Sequence, residues 1–241
     1  MKKLKVIAVI LVIIFVFTGC MPANSTGVKQ EDINLIQFQD FKEGQETAVI
    51  TTSLGTIKMV LFAKEAPKTV AHFKKLVNSG FYNNKTVFIE SNAKSFVTGA
   101  KDETGVSGEL MTDDKKAIQC EVTPNLYHFS GAVSVLAQEK NPFSKKMVSD
   151  SRFFIVGDVS ASSNVVEQME KYKYPPKVVD AYKEHGGLFP QFVGLYTVFG
   201  QVYEGLEVVN EISKLKCDAK TKLPTEKFVI EKIELSTYQK S

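Results

Sequence analysis

Hydrophobic and polar positions divide this chain into three stretches. Residues 6–17 are an unbroken apolar run, preceded by Lys2, Lys3 and Lys5. Residues 21–46 are mostly polar and hold no sustained period. From Thr47 onward apolar positions recur regularly. Residues 47–52 and 56–62 are rich in β-branched side chains and read as strands. Leu54-Gly55 between them is a tight turn, where glycine takes positive φ without steric cost. Pro67 opens a helix, a position where the missing N–H loses no bond. Val70, Phe73 and Val77 follow at helical spacing and Gly80 ends it. Further strands are predicted at 86–90, 95–99, 131–137, 152–157 and 196–202, a helix at 206–215, and a last strand at 227–236. Residues 164–187 interrupt this pattern. Val165, Met169 and Tyr172, then Val178, Val179 and Tyr182 after Pro175-Pro176, mark two short helices in a loop insertion. Many short strands with two isolated helices predict an all-β-dominated fold, closed on itself with helices at its ends.

The first stretch concerns location. A twelve-residue apolar run is too short to span a bilayer, which needs ~20 residues, but with its lysines it has the layout of a secretory signal. Phe17-Thr18-Gly19-Cys20 resembles a bacterial lipobox. By that resemblance residues 1–19 are removed and Cys20 becomes the lipidated N-terminus at the extracytoplasmic face of the cell membrane. Residues 20–45 are then a tether, with the apolar residues of 34–41 lying against the domain. Composition reads differently after this step. The formal net charge of +3 over 241 residues falls to zero over the remaining 222, because the signal carries three lysines and no acid. The basic excess therefore implies export, not nucleic acid. Lys74-Lys75 and Lys145-Lys146 are read as solvated faces.

Candidate chemistry is sparse. His72, His128 and His185 lie far apart, and no metal-ligand spacing, glycine-rich phosphate loop or Gly-x-Ser-x-Gly pattern occurs. No metal and no cofactor are expected, and a monomer is. Cys120 and Cys217 remain after processing, either bridged or as two free thiols; extracytoplasmic conditions permit both.

Three separated segments carry a resemblance. They are Ala66-Pro67-Lys68-Thr69-Val70-Ala71-His72-Phe73 with Gly80-Phe81-Tyr82, Ser151-Arg152-Phe153-Phe154-Ile155-Val156, and Tyr196-Thr197-Val198-Phe199-Gly200-Gln201-Val202 with Glu204-Gly205. In this order they resemble the cyclophilins, over about residues 46–237. The insertion ending in Glu184-His185-Gly186-Gly187 resembles that of cyclophilin-type proteins from low-GC Gram-positive bacteria. The resemblance implies an eight-stranded antiparallel β-barrel capped by two helices. It also implies peptidyl-prolyl cis-trans isomerase activity on proline-containing peptides or unfolded exported proteins. The X-Pro amide resists rotation by ~18–20 kcal/mol. A donor aimed at the prolyl nitrogen stabilises the twisted state by preorganised electrostatics, and the family uses an arginine for this beside an apolar proline pocket.

The rim departs from that pattern. The arginine position is Glu90, an acceptor that donates nothing when ionised. Family glutamines are replaced by Thr98 and Arg152. The pocket phenylalanine and methionine become Ser95 and Phe96. The chain has no tryptophan, and the family's Trp or His position is Gln191. Phe96, Phe154, Phe192 and Tyr196 keep apolar or aromatic character, and Ala137 and Gln138 fall at the backbone-binding segment. Phe154 reads equally as core or as pocket. The candidate substrate-binding set is therefore Phe96, Thr98, Ala137, Gln138, Phe154, Phe192 and Tyr196. Arg152 is the candidate replacement donor, free or paired with Glu90. The expected function is a membrane-anchored extracytoplasmic isomerase assisting exported proteins, weak because of Glu90. The alternatives are a catalytically inactive peptide- or protein-binding module, or a scaffold that captures partners through the insertion.

Overall fold

The computed structural model describes residues 32–240 apart from 111, 113–114 and 142–143. The expected signal and Cys20 lie outside the described residues.

Strands β1 (Glu46–Thr52) and β2 (Gly55–Leu61) form the first hairpin. Gly55 has φ +137°, and a Cβ there would meet the Val208 side chain at 2.8 Å, so only glycine fits. Helix α1 (Pro67–Asn78) follows. Its N-cap residue, Ala66, has no side-chain acceptor, so the orphan donors of the first turn are met from elsewhere. The Glu121 carboxylate accepts from the Lys68 amide (3.1 Å), the Thr69 amide (2.8 Å) and Thr69 Oγ1 (2.8 Å). A carboxylate at this end also suits the helix dipole.

The remaining strands are β3 (Lys85–Glu90), β4 (Ser95–Thr98), β5 (Ile118–Gln119), β6 (Ala132–Val135), β7 (Gln138–Asn141), β8 (Ser144–Ser149), β9 (Phe153–Ile155), β10 (Val198–Glu204), β11 (Val229–Ile230) and β12 (Lys232–Thr237). The main sheet runs β11-β3-β4-β9-β6-β10-β2-β1-β12, with every pairing antiparallel. β11 and β12 are two halves of the one C-terminal strand expected from sequence, divided at Glu231. The Glu231 amide donates to Thr51 O at 2.9 Å. The two ends of the sheet therefore meet, and eight strand segments close into a nearly complete barrel. Its interior is filled by Ile50, Ile57, Met59, Val133, Phe153 and Phe199. Phe73 and Leu76 of α1 and Val209 and Ile212 of α4 (Leu206–Ser213) pack against that core from the capping helices.

Two features go beyond the sequence reading. A second sheet, β5-β8-β7, pairs the hairpin β7-β8, which lies between β6 and β9, with β5, which precedes β6. The Gln-Glu-Lys-Asn run of β7 has no apolar alternation, so periodicity could not mark it. The segment before β1 lies against the domain, as the apolar residues of 34–41 predict, and what the pattern does not mark is the polar lock that holds it. Ile33 is buried, and Gln37 is locked to Tyr127 and Gln201. Gln37 Nε2 donates to Tyr127 O (3.0 Å) and Gln201 Oε1 (2.7 Å), while the Tyr127 amide donates to Gln37 Oε1 (2.7 Å).

The insertion forms α2 (Ser163–Lys171) and α3 (Pro176–His185). Met169, Val178, Val179 and Tyr182 build a satellite core with Ile33, Tyr127 and Phe129 on the barrel's flank. Cys120 and Cys217 are both free thiols.

Candidate active-site groove

Side chains alternate across each strand, so the barrel has an outer face opposite its core. On the adjoining strands β3, β4, β9 and β6 that outer face carries Phe88, Val97 and Phe154, with Leu136 just beyond β6. Glu90 is two residues beyond Phe88 and so shares this face. Its carboxyl is half-buried, and that burial pushes its pKa up, with the Lys222 charge acting in the opposite direction.

An aromatic wall stands over Phe154. Phe192 and Tyr196 are stacked at 4.2 Å and 4°, and Phe189 stacks on Phe192 at 4.9 Å. All three surround Phe154 with centroids 5.7–6.5 Å away. Phe154 is only 4% exposed, whereas Phe192 and Tyr196 are half-buried and present the accessible ring surface. Behind the wall lies His128, stacked on Phe154 at 5.9 Å with its Nε2 3.0 Å from Ser134 Oγ.

Arg152 lies two residues before Phe154, on the same face, yet it is 1% exposed. Its Nε donates to both oxygens of Asp150 (3.0 and 3.1 Å). One terminal nitrogen donates to Asp150 Oδ2 (2.7 Å) and Gln138 Oε1 (3.1 Å). The other donates to the carbonyls of Gly105 (3.0 Å) and Val106 (2.6 Å). Asp150 also accepts from the Gly108 amide at 3.0 Å. The guanidinium is thus consumed in pinning residues 105–108 to the barrel, and every nitrogen of it is engaged within the protein.

The family model described as cyclophilin-type peptidyl-prolyl cis-trans isomerase matches residues 47–235. The chain belongs to the cyclophilin-type isomerase family. Relatives in Staphylococcus aureus and Staphylococcus epidermidis, provisionally named as peptidyl-prolyl cis-trans isomerases, are 29% identical over 197 residues. That alignment covers 82% of this chain and 95% of theirs. A Cryptosporidium parvum cyclophilin matches in fold with TM-score 0.59 at 23% identity, covering 81% of this chain and 99% of its own. A second structure of that protein, determined in the presence of the dipeptide Ala-Pro, gives TM-score 0.58.

Within this cyclophilin the candidate residues separate into two groups. Phe154, Phe192 and Tyr196 come together in the ring wall, whereas the side chain of exposed Gln138 accepts from the buried Arg152. Phe96 and Thr98 are instead on the inner face. Phe96 packs in the barrel core, and Thr98, fully buried, donates from Oγ1 to Thr86 O at 2.9 Å. Ala137 likewise packs against that core. Register explains the difference. Val97 pairs with Phe154, so Val97 and not Phe96 faces outward. Sequence reasoning missed Val97, Phe189, His128 and Asp150. The Asp150-Ser151-Arg152 spacing was the available signal for Asp150, since residues two apart on an extended segment share a face.

Burial pushes His128 down to about 3. The folded state keeps this imidazole neutral, while the unfolded chain protonates it near 6.5. Below that value the unfolded state binds a proton the folded state does not, so stability rises with pH across roughly 3 to 6.5. Buried His72, also displaced downward by burial, adds the same sign. The raised carboxyl of Glu90 works oppositely in the carboxylate range. Urea denaturation should show about 2 kcal/mol lost between pH 7 and pH 5, and His128→Gln should flatten that slope. An unchanged slope in the variant would assign the effect elsewhere.

Proposed function

We propose that this cyclophilin is a lipid-anchored extracytoplasmic protein that engages proline-containing segments of exported chains, with isomerase turnover well below that of arginine-bearing members. One observation supports the low-turnover part: the outer face holds the Glu90 carboxylate where the family resemblance puts the donor arginine, and the candidate replacement donor, Arg152, is fully committed to the fold. Phe192 and Tyr196 supply the apolar surface for a prolyl ring. The Cryptosporidium parvum relative prepared with Ala-Pro supports a proline ligand for such a groove.

Anchoring rests on the signal-like residues 1–19 and the lipobox-like Cys20. Cys20→Ser should shift the protein from the membrane fraction to the soluble fraction in the host cell. Retention of the variant in the membrane fraction would overturn the lipid-anchor reading. The second reading, a binding module without turnover, is favoured by the covered position of Phe154 beneath its neighbouring rings. The two readings separate in a proline-exchange experiment, since both give peptide-induced shifts and only the first accelerates cis-trans exchange.

A further inference from the structure

The ring wall is built on a strained turn. Phe189 has φ +56° and ψ +43°, a left-handed conformation in which the Cβ of a bulky residue crowds its own backbone. Such a conformation persists only where its surroundings over-determine it. The two carbonyls that flank Phe189 are both gripped by phenol hydroxyls from the helical insertion. Tyr182 Oη donates to Leu188 O at 3.3 Å, and Tyr174 Oη donates to Pro190 O at 2.7 Å. Phe189 then seats its ring against Phe154 and Phe192.

The insertion that supplies these hydroxyls is itself fixed. Tyr182 is fully buried, with its ring 4.7 Å from Phe129. Lys177 Nζ donates to Ile33 O at 2.7 Å, tying α3 to the segment that precedes the barrel. The exit from α3 leaves no slack. The Gly187 amide donates to Val159 O (2.7 Å) and the Leu188 amide to His128 O (3.0 Å). A Cβ on Gly187 would lie 2.5 Å from His128 O. Burial also pushes the Tyr174 phenol up to about 12, so it remains a donor at neutral pH.

We propose that Tyr174 and Tyr182 are positioning residues: they hold the left-handed turn at Phe189 and thereby the Phe192–Tyr196 surface on which a prolyl ring packs. The insertion is then a buttress of the groove. The peptide half of this statement rests on the proline-groove reading above; the turn-holding half does not.

The test uses the full chain with Tyr174→Phe, which removes one hydroxyl and leaves the ring. Without peptide, the NMR ring signals of Phe189, Phe192 and Tyr196 should shift or broaden. With an Ala-Ala-Pro-Phe peptide, the Kd should rise about fivefold, the equivalent of one ordinary hydrogen bond. Tyr182→Phe should act in the same direction. Glu170→Gln, which removes only the carboxylate charge from the exposed Lys183–Glu170 pair (3.0 Å) on the same insertion, should leave the ring signals unchanged. Unchanged ring signals in both tyrosine variants, or an equal disturbance in Glu170→Gln, would overturn the proposal. If the wild-type chain binds no proline peptide, the groove reading fails, and the peptide-free ring signals still decide the positioning.

Discussion

Arg152→Ala should destabilise the domain by about 3–5 kcal/mol, the cost of removing one member of a buried ion pair. Arg152 and Asp150 are 1% and 6% exposed in their side chains, and the substitution leaves the Asp150 charge out of water with only amide donors. It also frees the carbonyls of Gly105 and Val106, so residues 105–108 lose their clamp. Arg152→Gln, which restores the family's residue, should cost nearly as much, because Asp150 stays charged. Adding Asp150→Asn to Arg152→Gln should recover part of the loss, since the unpaired charge then disappears. Urea denaturation of the wild-type chain, Arg152→Gln, Asp150→Asn and the double variant forms a double-mutant cycle with a large coupling. A loss below about 1 kcal/mol for Arg152→Ala would instead mean a guanidinium free to serve a bound peptide.

Glu90→Arg should raise prolyl isomerisation at least tenfold. One preorganised donor facing developing charge typically contributes 10²–10³ in rate. Glu90 lies on the outer face with Phe88, Val97 and Phe154, so an arginine there enters the face that carries the ring wall. The neighbouring Lys222 charge opposes a second cation, which holds the expected gain toward the lower end. Glu90→Gln separates the two effects, because it removes the carboxylate charge without supplying a guanidinium. It should gain little.

The barrel was legible in the sequence because its strands alternate and its turns carry glycine. β1, β2 and β10 stand where their runs of β-branched residues place them, and α1 and α4 where the spacing of Val70, Phe73 and Val77, and of Leu206, Val209 and Ile212, places them. β5, β7 and β8 were not legible, since a mostly polar hairpin beside the barrel buries little and leaves no apolar period. The division of the last strand at Glu231 was equally hidden, because it reflects closure between β3 and β1 and not a local signal. The site was legible in composition more than in geometry. Phe154, Phe192 and Tyr196 do form one cluster. Phe96 and Thr98 turned inward because the 3-10 turn Ser91–Ala93 and the left-handed Lys94 set the register of β4. A shift of one residue in a strand exchanges its two faces. Arg152 was recognisable as a departure from the family, but its partner set depends on contacts with residues 105–108, which no local pattern announces.

On the proposed reading this cyclophilin keeps a ring surface for proline, while Glu90 stands in the arginine's place and Arg152 is committed to the fold. The most direct measurement is NMR exchange spectroscopy of an Ala-Ala-Pro-Phe peptide with a small amount of the wild-type chain, followed by titration of the chain with the peptide. Saturable shifts are expected at Phe192, Tyr196 and Gln138, with only slight acceleration of cis-trans exchange. Fast catalysed exchange with Glu90 in place, or the absence of any shift at those residues, would contradict that reading.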